Sequence, residues 1–144
     1  MKTSLGILFI SALLINITSC KKDNKPASDC SLSEASLQGS YKYTTVTYKA
    51  SPTSPATDAS SMVDACSLDD VATFGANHVF TYTDAGVKCN PSDDGSGAWS
   101  LVGNVLTASA QSGTISNFTC TGFVIGHADF FNVGDTLLIG FVRQ

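Results

Sequence analysis

Few residues in this chain are of types that carry chemistry: two histidines, five cysteines and twelve acidic side chains among 144 residues. Asp69-Asp70 is the first candidate, as a pair of carboxylates for acid–base work. Such a pair needs one shared, buried environment that drives its two pKa values apart. Neighbouring residues of a strand point to opposite faces, so a solvated loop is the expected setting. Asp93-Asp94-Gly95-Ser96-Gly97 is rich in oxygen. It lacks the alternating ligands and closing glutamate of a calcium loop and reads as a turn. His78 and His127 stand far apart, and no Gly-x-Ser-x-Gly elbow presents a serine to either. The expectation is a protein with no catalytic residues, no metal site and no cofactor, hence not an enzyme.

The cysteines say more. None forms a C-x-x-C pair, which argues against a zinc or thioredoxin-like site. Cys20 stands apart from the rest. Met1 to Ser19 has a positive start at Lys2 and an apolar run from Leu5 to Ile15, well short of the ~20 residues that span a bilayer. It ends Ile17-Thr18-Ser19-Cys20, which resembles a bacterial lipobox. Residues 1–19 are therefore expected to be a lipoprotein signal peptide, with Cys20 as the lipidated first residue of the mature chain. Lipidation makes the remaining cysteine count even. In an oxidising compartment Cys30, Cys66, Cys89 and Cys120 should form two disulfides, with three possible connectivities. Lys21 to Asp29 is polar and reads as a tether, so a membrane is the expected partner. Net charge is −4, and no basic cluster lies beyond the tether, which excludes a nucleic-acid footprint.

The elements that must position anything else are strands. Ser31 and Glu34 have capping-box spacing for a short helical turn to about Leu37, ended by Gly39. Tyr41 to Lys49 is β-branched and aromatic. Ala50 to Ser61 is a Ser/Pro loop. Short strands follow at Val71–Phe74, His78–Thr83, Ala98–Val102, Val105–Ala110, Thr114–Cys120, Phe123–Gly126 and Thr136–Arg143. Gly103-Asn104 makes a two-residue hairpin, and Gln111-Ser112-Gly113 reads as the next turn. This spacing predicts an antiparallel sandwich or barrel. Its core or cavity candidates are Phe74, Phe80, Tyr82, Trp99, Leu101, Leu106, Ile115, Phe118, Phe123, Ile125, Leu138 and Phe141.

Several pieces occur in a telling order: Leu37-Gln38-Gly39-Ser40-Tyr41-Lys42, Cys66-Ser67-Leu68-Asp69-Asp70, Thr73-Phe74-Gly75, Phe80-Thr81-Tyr82, Lys88-Cys89, Gly97-Ala98-Trp99-Ser100-Leu101 and Asp135-Thr136-Leu137. The layout from about Leu37 to Arg143 resembles the lipocalin-like domain of small lipoproteins from Bacteroidetes. The resemblance implies an all-β fold, a small antiparallel up-and-down barrel of eight strands. The chain then divides into 1–19 signal peptide, 20–36 lipidated cysteine, tether and helical turn, and 37–144 barrel. The family pairs cysteines at the places of Cys66 and Cys89, which leaves Cys30 with Cys120. Lipocalin-type barrels often open with Gly-x-Trp, the ring closing the base near a basic residue of the last strand. Gly39-Ser40-Tyr41 takes that place here. Tyr41 either stacks on Arg143 or is an ordinary strand-start tyrosine beside a solvated arginine. Lys21-Lys22-Asp23 is similar to signals for surface display in that phylum. The expected location is the outer membrane, facing either the periplasm or the cell surface.

Function follows by class. A binding module would hold a small apolar or amphipathic ligand, with Phe80, Tyr82, Trp99 and Phe123 as candidate core or cavity residues. The alternative is a structural or protein-interaction module of the envelope with a closed core. At this chain length a mostly filled interior with a shallow apolar mouth is expected.

Overall fold

The computed structural model describes residues 30–144; the expected signal peptide, Cys20 and the expected tether through Asp29 lie outside the described residues. A single helical turn, α1 (Glu34–Leu37), precedes the sheet. Its N-cap is Ser33 rather than Ser31. Ser33 Oγ accepts from Ser36 N at 3.1 Å and Ser36 Oγ accepts from Ser33 N at 2.9 Å. A serine pair thus forms the reciprocal cap two residues later than the Ser31–Glu34 spacing suggested. Gln38, not Gly39, caps the other end. Leu37 is fully buried and plugs the base of the fold.

Nine strands follow: β1 (Gly39–Lys49), β2 (Thr57–Asp58), β3 (Val71–Phe74), β4 (Val79–Thr83), β5 (Gly95–Val102), β6 (Val105–Ala108), β7 (Gln111–Thr119), β8 (Gly122–Ala128) and β9 (Thr136–Arg143). Every pairing is antiparallel. β1 pairs with β3 through residues 39–42 on one edge and with β9 through residues 41–49 on the other. The sheet therefore closes, and eight strands form a ring. The two-residue β2 is an appendage that pairs with Thr47 and Tyr48, beyond the end of the β3 pairing. This is the up-and-down barrel the sequence led us to expect, with one extra ribbon inside the Ala50–Ser61 loop.

Closure of a ring leaves two ends. The β1–β3, β4–β5, β6–β7 and β8–β9 connections gather at one, here called the mouth. The β3–β4, β5–β6 and β7–β8 connections gather with α1 at the other, the base. Period-2 alternation sends Tyr41, Phe74, Trp99, Leu106, Ile115, Phe123 and Ile125 inward, where all are buried and pack as one cluster with Leu37. β9 is the strand whose phase the sequence hides, because Leu137-Leu138-Ile139 is apolar throughout. Leu137 is buried, and Leu138 lies on the opposite face, over Gly126. The expectation that Leu138 points inward is thus off by one residue.

The β6–β7 turn is also displaced from its expected place. Ala108 pairs with Gln111, so Ser109 and Ala110 form the turn, at φ of 46° and 69°. Gly113 is instead buried within β7. A Cβ there would sit 2.6 Å from Ile125 Cγ1, so this glycine makes room for a core side chain. The disulfides are Cys30–Cys120 and Cys66–Cys89, with Cα separations of 5.5 and 5.2 Å. The first staples the N-terminal segment to the base. The second ties the 3-10 turn Ala65–Asp69 to the β4–β5 connection at the mouth.

Candidate ligand cavity

The base is closed by a basic side chain on an aromatic one. Arg143 donates from Nη2 to Tyr41 Oη at 2.6 Å and to the Ser36 carbonyl at 2.5 Å, from Nη1 to the Gln38 carbonyl at 2.6 Å, and from Nε to the Cys120 carbonyl at 3.1 Å. Its Cζ lies 4.9 Å from the Tyr41 ring centroid. The Tyr41 hydroxyl donates in turn to the Leu37 carbonyl at 2.9 Å. Of the two readings left open by the sequence, stacking is the one the structure adopts. Gly39, at φ +146°, has no side chain to obstruct the guanidinium.

Above this plug Trp99 is buried, donates from Nε1 to the Gly75 carbonyl at 2.9 Å and packs edge-on against Phe74 at 5.6 Å. Trp99 is thus core and does not line the cavity. Phe74 and Phe123 form a floor, with ring centroids 6.3 Å apart. From there a cavity of about 340 Å³ extends to the mouth. Leu106, Ile125, Ile139, Phe80 and Phe141 wall it, and Tyr43, Tyr82, Ser109, Gln111, His127 and Phe130 surround its upper part. Phe80, Tyr82 and Phe123, candidates for core or cavity alike, line the cavity, and the interior is more open than the chain length suggested.

A model of the lipocalin-like domain matches residues 37–122. The chain belongs to the lipocalin-like domain family. No curated protein and no solved structure matches it significantly.

The polar groups that face the cavity of this lipocalin-like barrel are few and lie near its mouth. Tyr82 Oη donates to Tyr43 Oη at 3.3 Å, with the Ser67 carbonyl at 3.5 Å. Burial pushes the Tyr82 hydroxyl far above its ordinary pKa, and Tyr43 and the Asp70 charge add to the shift. Tyr43 is raised by burial too, offset by the bond from Tyr82 and reinforced by Asp70 and Asp93. Both hydroxyls are neutral at physiological pH and can donate to, or accept from, a guest. His127 Nδ1 lies 2.9 Å from the Ser112 carbonyl. His78 is at the base, its Nδ1 3.1 Å from the Trp99 carbonyl. The two histidines sit at opposite ends and share no site.

The carboxylates depart from expectation. Asp69 and Asp70 do not share a pocket, but neither is Asp70 solvated: it is fully buried. Asp70 faces inward with Ala72 and Phe74. Its Oδ1 accepts from Ala85 N at 2.8 Å, while Asp69 Oδ2 accepts from Val87 N at 2.9 Å. Asp84, also buried, accepts from Cys89 N at 3.2 Å, and Asp94 accepts from Asp84 N at 2.8 Å. The aspartates of the mouth thus hold together a connection rich in turns. Asp135 does the same for the β8–β9 loop. It accepts from the backbone of Phe130 at 2.6 Å and Asn132 at 2.8 Å, and from Tyr48 Oη at 2.8 Å. Desolvation pushes its pKa up, but these bonds outweigh that and hold it below the usual carboxylate range. In the sequence Asp135 stands only in the run Asp135-Thr136-Leu137, ahead of the last strand.

Proposed function

We propose that this lipocalin-like protein is a membrane-anchored lipoprotein that holds a small apolar or amphipathic molecule in its barrel. The observation that carries the reading is the apolar cavity above the Phe74–Phe123 floor, with neutral tyrosine hydroxyls near its mouth. Its volume of about 340 Å³ falls at the small end of known ligand sites, roughly 300–1,000 Å³. A guest of modest size is implied, with an apolar body on the floor and a polar end near Tyr43 and Tyr82. Anchoring rests on the lipobox at Cys20, and two acyl chains on one cysteine meet the two-signal requirement for stable attachment. The described chain begins at Cys30, which is stapled to the β7–β8 connection at the base. The point of attachment to the anchor would then lie at the end of the barrel opposite the mouth, whether in the periplasm or at the cell surface of the outer membrane.

A second reading, a docking module, is favoured by the β8–β9 loop. Phe131 and Val133 are 57% and 96% exposed there, on a backbone that Asp135 holds in one shape.

The chain from Lys21 onward, purified from an oxidising compartment, should carry or take up a stoichiometric small molecule in native mass spectrometry. A clean apo mass together with failure to bind any apolar dye would defeat the binding reading and favour docking. Cys20→Ser should abolish fatty-acid labelling and release the protein from membranes; persistent labelling would refute the anchor.

A further inference from the structure

A second site lies at the mouth, outside the cavity lining. Asp70 is fully buried, and among the described residues only its Oδ1 accepts a hydrogen bond while Oδ2 has no partner. A carboxylate oxygen of Asp70, one of Asp93 and the Cys89 sulfur all lie within 4.8 Å of one another. The sulfur is spent in the Cys66–Cys89 disulfide, so it offers no thiolate to a soft metal. The oxygens are a different matter. Asp93 Oδ2 accepts from Ser67 Oγ at 2.6 Å, and the Ser67 carbonyl accepts from Tyr82 Oη at 3.5 Å. Ser67 therefore sets its hydroxyl on the Asp93 carboxylate, while its carbonyl accepts from the Asp70 backbone N–H at 3.4 Å.

Two carboxylates this close repel, and a buried carboxylate oxygen without a partner carries a large desolvation penalty. Among the described residues no lysine, arginine or histidine forms an ion pair with either aspartate. Asp69, Asp84 and Asp94 bond to the same connection, where among the described residues Lys88 at the Asp84 carbonyl is the one cation against them, so the potential stays negative. Asp93 is exposed, so the pair is open to solvent on one side. We propose that Asp70 and Asp93, assisted by Ser67, bind a hard divalent cation of the calcium class. All-oxygen donors with flexible geometry are what such an ion takes. The cation would join the Ala65–Asp69 turn to the β4–β5 connection, alongside the disulfide that already links them. The pair is invisible in sequence because its members stand 23 residues apart, and the disulfide and the hydrogen bonds from Ser67, Ala85 and Val87 bring the two segments together.

Terbium luminescence tests the proposal, since Tyr82 and Tyr43 stand close enough to sensitise the ion. The full chain, in detergent with both disulfides intact, should give saturable emission that calcium displaces. Calcium should also raise the Tm by several degrees over chelator. Asp70→Asn and Asp93→Asn should each weaken binding at least about tenfold, as loss of even an outer-shell partner does in known sites. Asp58→Asn, an exposed aspartate on β2, should titrate as the parent does. If Asp70→Asn does not fold, Asp93→Asn carries the test from its exposed position. Absence of both terbium emission and a calcium-dependent Tm overturns the proposal. So does undiminished binding in the variants, which would put the ion elsewhere.

Discussion

Arg143→Ala is the substitution that most directly tests how the barrel is closed. The guanidinium meets four acceptors, of which Ser36 O and Tyr41 Oη are partly buried and Gln38 O and Cys120 O are exposed. Charge-assisted bonds contribute roughly 1.5–3 kcal/mol each, so the two partly buried ones, taken low, supply about 3 kcal/mol. The cation–π contact with Tyr41 adds about 0.5–1 kcal/mol. Ordering the arginine side chain opposes this by about 2 kcal/mol. Counting the exposed bonds as weak, the net loss on truncation is about 2–3 kcal/mol. For a domain of this length that lowers the Tm by about 10 °C. The chain has one tryptophan, and Trp99 is buried near the base, so urea titration followed by its fluorescence reads the loss directly. Arg143→Lys keeps the charge but loses the planar fork and should fall between parent and alanine. Tyr41→Phe deletes the hydroxyl that accepts from Arg143 and donates to Leu37. A double-mutant cycle of Tyr41→Phe with Arg143→Ala should then give a coupling near 1 kcal/mol. A loss below about 0.5 kcal/mol for Arg143→Ala, the range of an ordinary surface substitution, would mean that the arginine is solvated and the plug does not hold the base. A lysine variant as stable as the parent would leave only its charge at work.

Three further outcomes follow from the rest of the molecule. Ser109 and Ala110 both occupy left-handed backbone, so replacing them with Asn-Gly should stabilise the protein by about 1–2 kcal/mol in urea titration; a neutral result would refute the turn. Ala108 lines the cavity, and Ala108→Phe should block uptake of an apolar dye while leaving the Tm close to the parent's; unchanged uptake would place binding elsewhere. Asp135 has a depressed pKa in the fold, so its contribution is present above its unfolded value near 3.8 and is lost as pH falls below that through the folded value. Asp135→Asn should therefore flatten the acid side of the stability–pH profile, and an unchanged acid limb would show that other carboxylates set it.

The strands were legible because period-2 alternation and β-branched residues mark them locally, and the ring followed from their order. What was not legible depended on the partner across the sheet. Gly113 carries the same signal whether it turns the chain or clears space, and only Ile125 opposite distinguishes the two. Leu137 and Leu138 are indistinguishable until pairing with β1 and β8 fixes which faces inward. The functional pieces divide in the same way. Phe80, Tyr82 and Phe123 could be named from their strand positions, since any barrel turns such residues inward. Whether they fill or enclose space depends on volume. Trp99, the largest side chain, packs into the core beside Phe74 and leaves the upper barrel open. Asp70 shows the limit most plainly. Beside Asp69 in sequence it looked solvated. In the fold it is the next inward residue after Ala72 toward the mouth, and the connection from Asp84 to Asp94 closes over it. A buried carboxylate there needs a partner on that connection, and that requirement is why the mouth can carry chemistry that no local motif announces.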